Sequence, residues 1–418
     1  MASAFPLDPI TRVVAPEGPP LGILHKSAAY IALAPISVVL DTLTLFTPAQ
    51  YWATFGTSVF VFGCLVLVRA RRAKYNLAAQ DFLRFAGRTL GVTAIVIELI
   101  LFAPRPMAAL RLDDRDLIAV DFHSHTEASH DGRPRFDAER NRAWHTSAGY
   151  DVAYITDHRT FAGAAAGASH NPSLAAAGTV LLPGIELRDG GEHVIVLGAD
   201  PASTHVTSAD FRDFVEGRER SATPPLLLLS LPGDISRIPA DEWSGNARLA
   251  GLEISDGSPR GLAQAAGDRS RIRARATSLR LALVSGSDNH GWGRAAPAWN
   301  VLRIPGWRGM SPRVLDDAIR RTILANGPRA VEVVARRRVE PPLFTAASAF
   351  TGVEATVLIL RSMSWPERES CLVWCWGLAL FIRAARFRRG NILSAEEERA
   401  PVGDLRPGLE AAAIEIRQ

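Results

Sequence analysis

The segment Val120–Gly132 reads VDFHSHTEASHDG and places three histidines and two aspartates directly after an apolar run. Because side chains alternate along a strand, His123 and His125 point to the same side of it. Neutral imidazole is a common metal ligand near pH 7. A pair of imidazoles at the end of a strand is therefore typical of a metal site. It also fits a surface loop, and the rest of the chain decides between the two.

The other β-rich apolar runs lead to the same kind of side chain. Together with the opening segment, they contain six of the ten histidines. The runs are DVAYI before Thr156-Asp157-His158, TVLLPGI before Glu186, EHVIVLG with His193 near its start, and LALVSGS before Asp288-Asn289-His290. In an α/β barrel, functional side chains lie where the strands end and the βα loops begin. Side chains delivered to one such rim would build a multinuclear metal cluster.

The apolar runs predict an α/β domain over residues 111–340 with seven strands. These are Leu117–Phe122, Val152–Ile155, Val180–Ile185, His193–Leu197, Leu226–Leu231, Gly251–Ile254 and Leu281–Val284. Helices are expected at Phe136–Ala148, Ser208–Glu216, Gly261–Leu279 and Val314–Ala325, with a closing strand at Ala330–Val334.

The ordered motifs DFHSHTEASHDG, ITDH, PGIE, the following His193 and GSDNH resemble those of the PHP (polymerase and histidinol phosphatase) superfamily of metal-dependent phosphoesterases. The resemblance implies a distorted seven-stranded β/α barrel that holds two or three divalent ions (Mn²⁺, Fe²⁺ or Zn²⁺). It implies three groups of ligands. They are His123, His125 and Asp288 for one ion, Glu186 bridging to a second ion that His193 also binds, and His130, His158 and His290 for a third.

The chain departs from the family pattern at one strand end. The family usually has a further histidine in a His-Pro pair, whereas this chain has Leu231 before Pro232. Leucine cannot bind a metal, and Asp234 is a candidate substitute, so a two-metal site is an alternative to a three-metal site. The role of Asp131 is also open: it is either a metal ligand in place of His130 or a group that supports the ligands without binding the metal.

A bound dication lowers the pKa of its water toward ~7 and so supplies a hydroxide nucleophile for attack on a phosphomonoester or phosphodiester. Asp121 lies two residues before His123, and we expect it to support that ligand or carry a proton. Asp157 is expected to act as a general acid or behind the ligands, with a helix cap as the alternative. Arg159, Arg260 and Arg294 follow metal-bearing strand ends and are candidates for substrate phosphate, although each also fits an ordinary surface position.

The chain is 47% hydrophobic, and the excess lies at its two ends. The apolar runs are Ser27–Thr47, Tyr51–Val68 and Thr89–Ala103 before the barrel, and Leu343–Leu360 and Cys371–Ile382 after it. About 20 apolar residues span a bilayer. We therefore expect an N-terminal tail to residue 26, two to three membrane helices over 27–110, one to two over 341–390, and a polar tail over 391–418. A cleaved signal peptide is not expected, because one apolar run follows another.

Basic residues between the second and third runs indicate a cytoplasmic loop. They are Arg69, Arg71, Arg72, Lys74, Arg84 and Arg88. Three spans would then place the N-terminus inside and the barrel on the periplasmic side of the inner membrane. Two C-terminal spans would place Arg383, Arg386, Arg388 and Arg389 outside, against the rule, and one span removes that conflict. Asp41, Glu98 and Glu354 lie within proposed spans, where a charge is costly.

The interpretation is a membrane-anchored metal-dependent phosphoesterase whose partners are a small phosphorylated substrate and the lipid bilayer. Arginines beside the spans account for much of the net charge of +4, so no nucleic-acid partner is expected. One alternative is a membrane sensor that binds a phosphorylated ligand without turnover, which Leu231 would favour. Another is a transport or assembly component, which would need function in the charges within the spans.

Overall fold

The computed structural model describes residues 6–14, 21–73, 79–189, 192–198, 225–232, 248–264, 266–342 and 345–399. The strands are β1 Ile10–Arg12, β2 Gly22–His25, β3 Ala109–Leu112, β4 Leu117–Ser124, β5 Val152–Ile155, β6 Val180–Asp189, β7 Glu192–Leu197, β8 Leu226–Ser230, β9 Arg248–Ser255, β10 Ala282–Ser285, β11 Ala298–Arg303 and β12 Glu332–Arg336. The helices are α1 Ala28–Ala32, α2 Ala34–Thr44, α3 Pro48–Ala73, α4 Ala79–Phe102, α5 Ala138–Ala148, α6 Ala162–Ser169, α7 Pro259–Ala263, α8 Ala266–Leu279, α9 Pro312–Asn326, α10 Thr351–Ser362 and α11 Trp365–Arg399.

Ten of the described strands form one curled mixed sheet in the order β1-β12-β11-β4-β5-β6-β7-β8-β9-β10, and β2 pairs with β3 separately. Neighbours are parallel from β4 to β6 and from β8 to β10, and β7 runs antiparallel between them. The seven predicted strands are present as β4 to β10. The count of seven is not confirmed, because β11, β12 and β1 extend the sheet past β4 by antiparallel pairing.

The sheet curls so that its last strand, β10, returns toward β4. The side chain of Asn300 on β11 joins the two strands. Its Nδ2 donates to the carbonyls of Val120 (2.9 Å) and Ser285 (2.6 Å), and its Oδ1 accepts from the amide of Ser285 (2.8 Å). Beyond this point the amide of Asp288 donates to the carbonyl of His123 at 2.8 Å. The curl therefore brings the end of β10 beside the end of β4.

Apolar side chains pack on both faces of the sheet. On β8, Leu226 and Leu228 belong to a cluster that includes residues of α9, whereas Leu227 and Leu229 belong to a cluster that includes residues of α6 and α8. Strands buried on both faces read as continuous apolar runs. This explains why β8 was recognisable from LLLL alone. The predicted helix Ser208–Glu216 lies outside the described residues.

The first apolar run does not form the expected span. Residues of Ser27–Thr47 form the short helices α1 and α2. The helical conformation breaks at Leu33, between α1 and α2, and Pro35 lacks the amide hydrogen that a continuous helix would donate to the carbonyl of Ile31. At 11 residues, α2 is about 16 Å long, whereas a bilayer core is about 30 Å thick.

Asp41 on α2 is bound within the protein. Its carboxylate accepts from the hydroxyl of Tyr30 at 2.9 Å and lies 2.7 Å from the guanidinium of Arg336 on β12 and 3.3 Å from that of Arg105. All four side chains are buried or nearly so. A charge that would be costly in a membrane span is therefore paired here, at the junction of α2 with the barrel.

Three described helices are long and apolar enough to cross a membrane. They extend over Pro48–Val68, Leu83–Phe102 and Trp365–Arg388. Two of the predicted runs, Tyr51–Val68 and Cys371–Ile382, lie within these segments. The run Thr89–Ala103 extends one residue past the end of the second segment. The run Leu343–Leu360 was wrong as a span, because α10 has only 12 residues there.

The N-terminal segment belongs to the barrel sheet. Strand β1 pairs antiparallel with β12, and Arg12 forms an ion pair with Glu332 at 2.8 Å. A strand hydrogen-bonded into the sheet lies on the same side of a membrane as the sheet. The expectation that the N-terminus and the barrel lie on opposite sides is therefore wrong. The chain divides into two compact units after Glu367, and the described part of the second unit is helical.

Candidate metal centre

The rim of the sheet gathers the side chains that the sequence singled out. Strands β4, β6 and β10 end there. Because β7 is antiparallel to its neighbours, it begins there, and His193 arrives beside the end of β6. The described residues form several groups with donor atoms within 4.8 Å of one another. Three of them are His123 with His125 and Asp288, His158 with Glu186 and His193, and His125 with His158 and His290.

The first group matches the predicted ligand set. The Oδ1 atom of Asp288 lies 3.5 Å from Nε2 of His123 and 3.2 Å from Nε2 of His125. Both imidazoles are buried. The Asp288 backbone has a φ of 45° and its amide is bound to the His123 carbonyl, so the turn after β10 directs the carboxylate at the pair.

Glu186 lies between the groups. Its Oε2 atom is 3.1 Å from Nε2 of His123, 3.2 Å from Nε2 of His125 and 3.4 Å from Nδ1 of His158. Its other oxygen, Oε1, contacts Nδ1 of His193. One carboxylate oxygen thus faces the first group and the other faces His193. The Glu186 carboxylate therefore lies between the two donor groups, and its role as a ligand shared by two ions stays a prediction.

Asp131, more than His130, approaches the third group. Its Oδ2 lies 3.5 Å from Nε2 of His158 and its Oδ1 lies 3.2 Å from Nε2 of His290. The side chain of His130 is 76% exposed and its Nδ1 is 3.8 Å from Asp131. His130 is also within donor range of Asp131 and His158. Of the two alternatives left open by the sequence, the geometry favours Asp131 as a ligand.

The buried nitrogens of His125 show that this donor set fits a metal ion. Neither ring nitrogen of His125 has a hydrogen-bond partner among the described residues, although Nε2 has a carboxylate oxygen on two sides. A buried polar atom without a partner is costly unless something else satisfies it. Imidazole nitrogen with carboxylate oxygen and no thiolate suits Mn²⁺, Fe²⁺ or Zn²⁺.

Glu253 on β9 supports His123 and was missed by the sequence analysis. Its Oε1 atom is 3.2 Å from Nδ1 of His123, and its Oε2 accepts from the hydroxyl of Ser230 at 2.6 Å. A carboxylate on the second nitrogen fixes the tautomer of a ligating imidazole and leaves Nε2 free for the ion. A glutamate inside the apolar strand GLEIS was the available signal. Asp256 completes a buried group with His123 and Glu253.

Asp121 and Asp157 hold the backbone around the ligands. Asp121 accepts from the amides of His123 (3.1 Å) and Ser287 (3.0 Å), and from Nε2 of His145 (2.8 Å). Asp157 accepts from the amide and hydroxyl of Thr126 at 2.6 and 2.7 Å. Both are positioning residues in this arrangement, and a part in proton transfer stays a prediction. His145 had been given no role, and a helical histidine aimed at a strand end carries no visible sequence signal.

The three predicted substrate arginines differ in their surroundings. Arg159 is exposed. Arg260 donates to the carbonyl of Leu231 at 2.7 Å, and Arg294 is half-buried and lines a cavity with Arg133. Leu231 itself is buried and cannot replace the expected histidine. Asp234 lies outside the described residues. Substrate contact by the three arginines stays a prediction.

The charges of the cluster compensate one another. Burial opposes the charged form of His125, but Asp288 and Glu186 outweigh it and raise the pKa of His125 to about 9. The pKa of His123 is raised in the same way, against burial, by Glu253, Glu186 and Asp288. Burial lowers the pKa of His158 to about 4, so that imidazole stays neutral. Metal binding must displace the protons of the first two.

Comparisons with known proteins give only distant likenesses. No family model matches the chain, and no curated protein matches it. PsfC from Pseudomonas syringae PB-5123 is 17% identical with a TM-score of 0.33, over 59% of this chain and 99% of that one.

Two further solved structures are similar at the same level. A two-domain protein from Bacteroides vulgatus ATCC 8482, described as containing a PHP-like metal-dependent phosphoesterase, is 14% identical with a TM-score of 0.32, over 52% of this chain and 68% of that one. The lesion-specific endonuclease PfuEndoQ from Pyrococcus furiosus is 14% identical with a TM-score of 0.36, over 55% of this chain and 60% of that one. TM-scores below 0.5 do not establish a common fold, so the function must be argued from the site itself.

Proposed function

We propose that this protein is a metal-dependent phosphoesterase that hydrolyses a phosphomonoester or phosphodiester. The observation that carries the proposal is the position of Glu186. One of its oxygens faces His123, His125 and His158, and the other contacts His193. A carboxylate shared in this way fits two adjacent ions. When bound, such ions would acidify a water molecule and neutralise charge on a phosphoryl group.

The protein's own residues prepare this chemistry. Glu253 keeps a proton at Nδ1 of His123 and so presents Nε2 to the site. Asp121 fixes the backbone of His123 and of Ser287, the residue before Asp288. His158 stands with Glu186 and His193 as a third donor, and in a two-ion site it would take the place of the ligand that Leu231 does not supply. The proposal is two or three ions, with Asp131 rather than His130 beside the third.

Binding without turnover is the second candidate, and Leu231 is the feature that favours it. The full-length protein, purified in detergent, separates the two functions. We expect Mn²⁺-dependent hydrolysis of p-nitrophenyl phosphate or bis(p-nitrophenyl) phosphate, lost in His123→Ala. Exposed His170→Ala is the matched control. Equal activity in the two variants would refute the proposed reaction. Metal bound in stoichiometric amounts with no hydrolysis of either ester would favour the sensor.

We further infer that α3, α4 and α11 hold the protein in a membrane, with the barrel on the periplasmic side. Two membrane spans, α3 and α4, lie between β1 and the barrel strands, so β1 and the barrel are on the same side of the membrane. The end of α3, with Arg71 and Arg72, then lies at the cytoplasmic side, as the positive-inside rule requires. Labelling by a membrane-impermeant maleimide in intact spheroplasts tests this. Leu174→Cys on the barrel should react, and Arg72→Cys should react only after lysis. The reverse pattern contradicts the proposed orientation.

A further inference from the structure

A cavity of about 570 Å³ connects the metal centre to the base of the α3–α4 hairpin. Asp131, Asp288 and His290 line it on one side. Pro48, at the start of α3, and Leu101, near the end of α4, line it on the other. These two residues lie at the ends of the segments long and apolar enough to span a membrane. The cavity therefore extends from candidate metal ligands to the level at which the hairpin would enter the bilayer.

The wall away from the metal ligands is largely apolar. Leu45 and Phe46, between α2 and α3, line it together with Ile100, Leu101 and Leu262. A pocket that held only a small, highly charged phosphate ester would gain nothing from such a wall. Apolar walls favour ligands with hydrocarbon, because burial removes that surface from water.

Aromatic and cationic side chains mark the region where this cavity opens. Trp292 lines the cavity, is 38% exposed and packs edge-on against Phe102, with ring centroids 6.0 Å apart. The guanidinium of Arg133 lies 5.0 Å from the centre of the Phe102 ring and 5.5 Å from that of Trp292. Tryptophan and arginine at this position are typical of a membrane–water interface.

A second cavity of about 310 Å³ adjoins this region and shares Trp144 and Gly293 with the first. Its described lining includes Arg133, Arg135, Arg140 and Arg294 and no carboxylate side chain. A basic pocket beside a membrane surface attracts anionic lipid headgroups. The charge and the apolar wall thus point to the same kind of ligand.

We infer that the substrate is a membrane amphiphile, a phosphate ester carried by a lipid, whose headgroup reaches the metal centre through this cavity while its chains remain along the hairpin. The inference rests on the proposed phosphoesterase function and names its substrate class. Hydrolysis breaks the P–O bond to the lipid or to the headgroup, and water supplies the oxygen and the protons.

The test compares esters that share a headgroup and differ in their chains. Full-length protein in nanodiscs of dioleoyl phosphatidylcholine is assayed with Mn²⁺ on dioctanoyl phosphatidic acid against glycerol 3-phosphate. Dioctanoyl phosphatidylglycerol against glycerophosphoglycerol forms the diester pair. We expect kcat/KM to be at least about 100-fold higher for the lipid of one pair, because each methylene in an apolar pocket contributes to discrimination.

A steric variant links that preference to the cavity. A Cβ at Gly293 would lie 3.6 Å from Cγ2 of Thr44, so alanine fits there. A longer side chain would project into the cavity, which both residues line. Gly293→Leu should lower the ratio of lipid to soluble activity at least about tenfold, whereas Gly293→Ala should keep the ratio. Equal loss of the ratio in both variants would contradict the steric role.

The outcomes separate the two proposals. Soluble esters hydrolysed as well as their lipid partners would overturn the lipid inference and leave the phosphoesterase function intact. No hydrolysis of any ester, p-nitrophenyl phosphate included, would overturn the proposed function itself. Binding gives a second measurement with EDTA-treated protein. A phosphatidic acid with a diazirine in its chain should label peptides that contain Leu45 or Leu101. Excess phosphatidic acid should prevent that labelling, and glycerol 3-phosphate should not. Labelling that glycerol 3-phosphate prevents equally well would also overturn the lipid inference.

Discussion

Replacing Asn300 with alanine should open the sheet where β10 meets β4 and weaken the metal centre. Three backbone groups lose a partner: the amide and carbonyl of Ser285 and the carbonyl of Val120. An unsatisfied buried group costs about 1–3 kcal/mol, and carbonyls with a second partner cost less, so the free energy of unfolding should fall by about 3–5 kcal/mol. For a domain of this size, each kcal/mol lowers Tm by roughly 2–4 °C, which gives a decrease of about 6–20 °C.

The loss should extend to metal binding, because Asp288 follows Ser285 by three residues and is positioned by the same turn. Tryptophan fluorescence during thermal unfolding, with EDTA and then with Mn²⁺, measures both effects. We expect a lower Tm and a smaller Mn²⁺-induced increase than in the unmodified protein. The exposed Asn326→Ala is the matched control. A Tm for Asn300→Ala within about 2 °C of that control would refute the idea that this side chain closes the sheet.

Three further predictions concern the metal centre. Glu253→Gln should weaken Mn²⁺ binding about 10–100-fold, measured by isothermal titration, since supporting carboxylates typically contribute that much; exposed Glu139→Gln should bind normally, and equal affinity in both would contradict the role of Glu253. Asp131→Asn should reduce the number of ions bound, determined by elemental analysis, whereas His130→Ala should not, and the opposite result would restore His130 as the ligand. His125 has a folded pKa of about 9, above its ordinary 6.5. Its contribution to the stability of the metal-free protein is therefore complete below 6.5 and is lost as pH rises through about 9. The Tm in EDTA should fall over that window in the unmodified protein more than in His125→Asn, and parallel pH profiles would contradict this.

Much of the barrel could be predicted from the sequence. The central strands are short apolar runs because both faces are buried, and metal-binding side chains directly follow them. His193 lies at the start of its strand rather than after the end of one. Because β7 is antiparallel to β6 and β8, its start lies at the rim where the other strands end, so His193 lies beside the other predicted residues. The antiparallel strands β11 and β1 were missed. AWNVLR contains the polar Asn300, whose side chain bonds Ser285 on β10, 15 residues earlier, and Val120 on β4, 180 residues earlier.

The errors have related causes. Hydropathy alone favoured a span at Ser27–Thr47, since it does not register that Asp41 pairs with Arg105, 64 residues later, and with Arg336, 295 residues later. The choice between His130 and Asp131 stays a prediction: His130 is 76% exposed, whereas Asp131 lies 3.5 Å from His158 and 3.2 Å from His290. Glu253 could not be predicted from strand ends, because this side chain reaches His123 from within a strand. Each miss depends on a contact between distant segments, which local pattern does not encode.

The pairing of β1 with β12 imposes an order on the folding of this protein. Arg12 meets Glu332, a partner 320 residues later in the chain. At about 5–20 residues per second, the ribosome needs about 16–64 s to produce that partner after it has made β1. During this interval the first strand has an exposed edge, and the hairpin formed by α3 and α4 is already complete. The first strand can therefore join the sheet only after the last strand of the sheet has been synthesised.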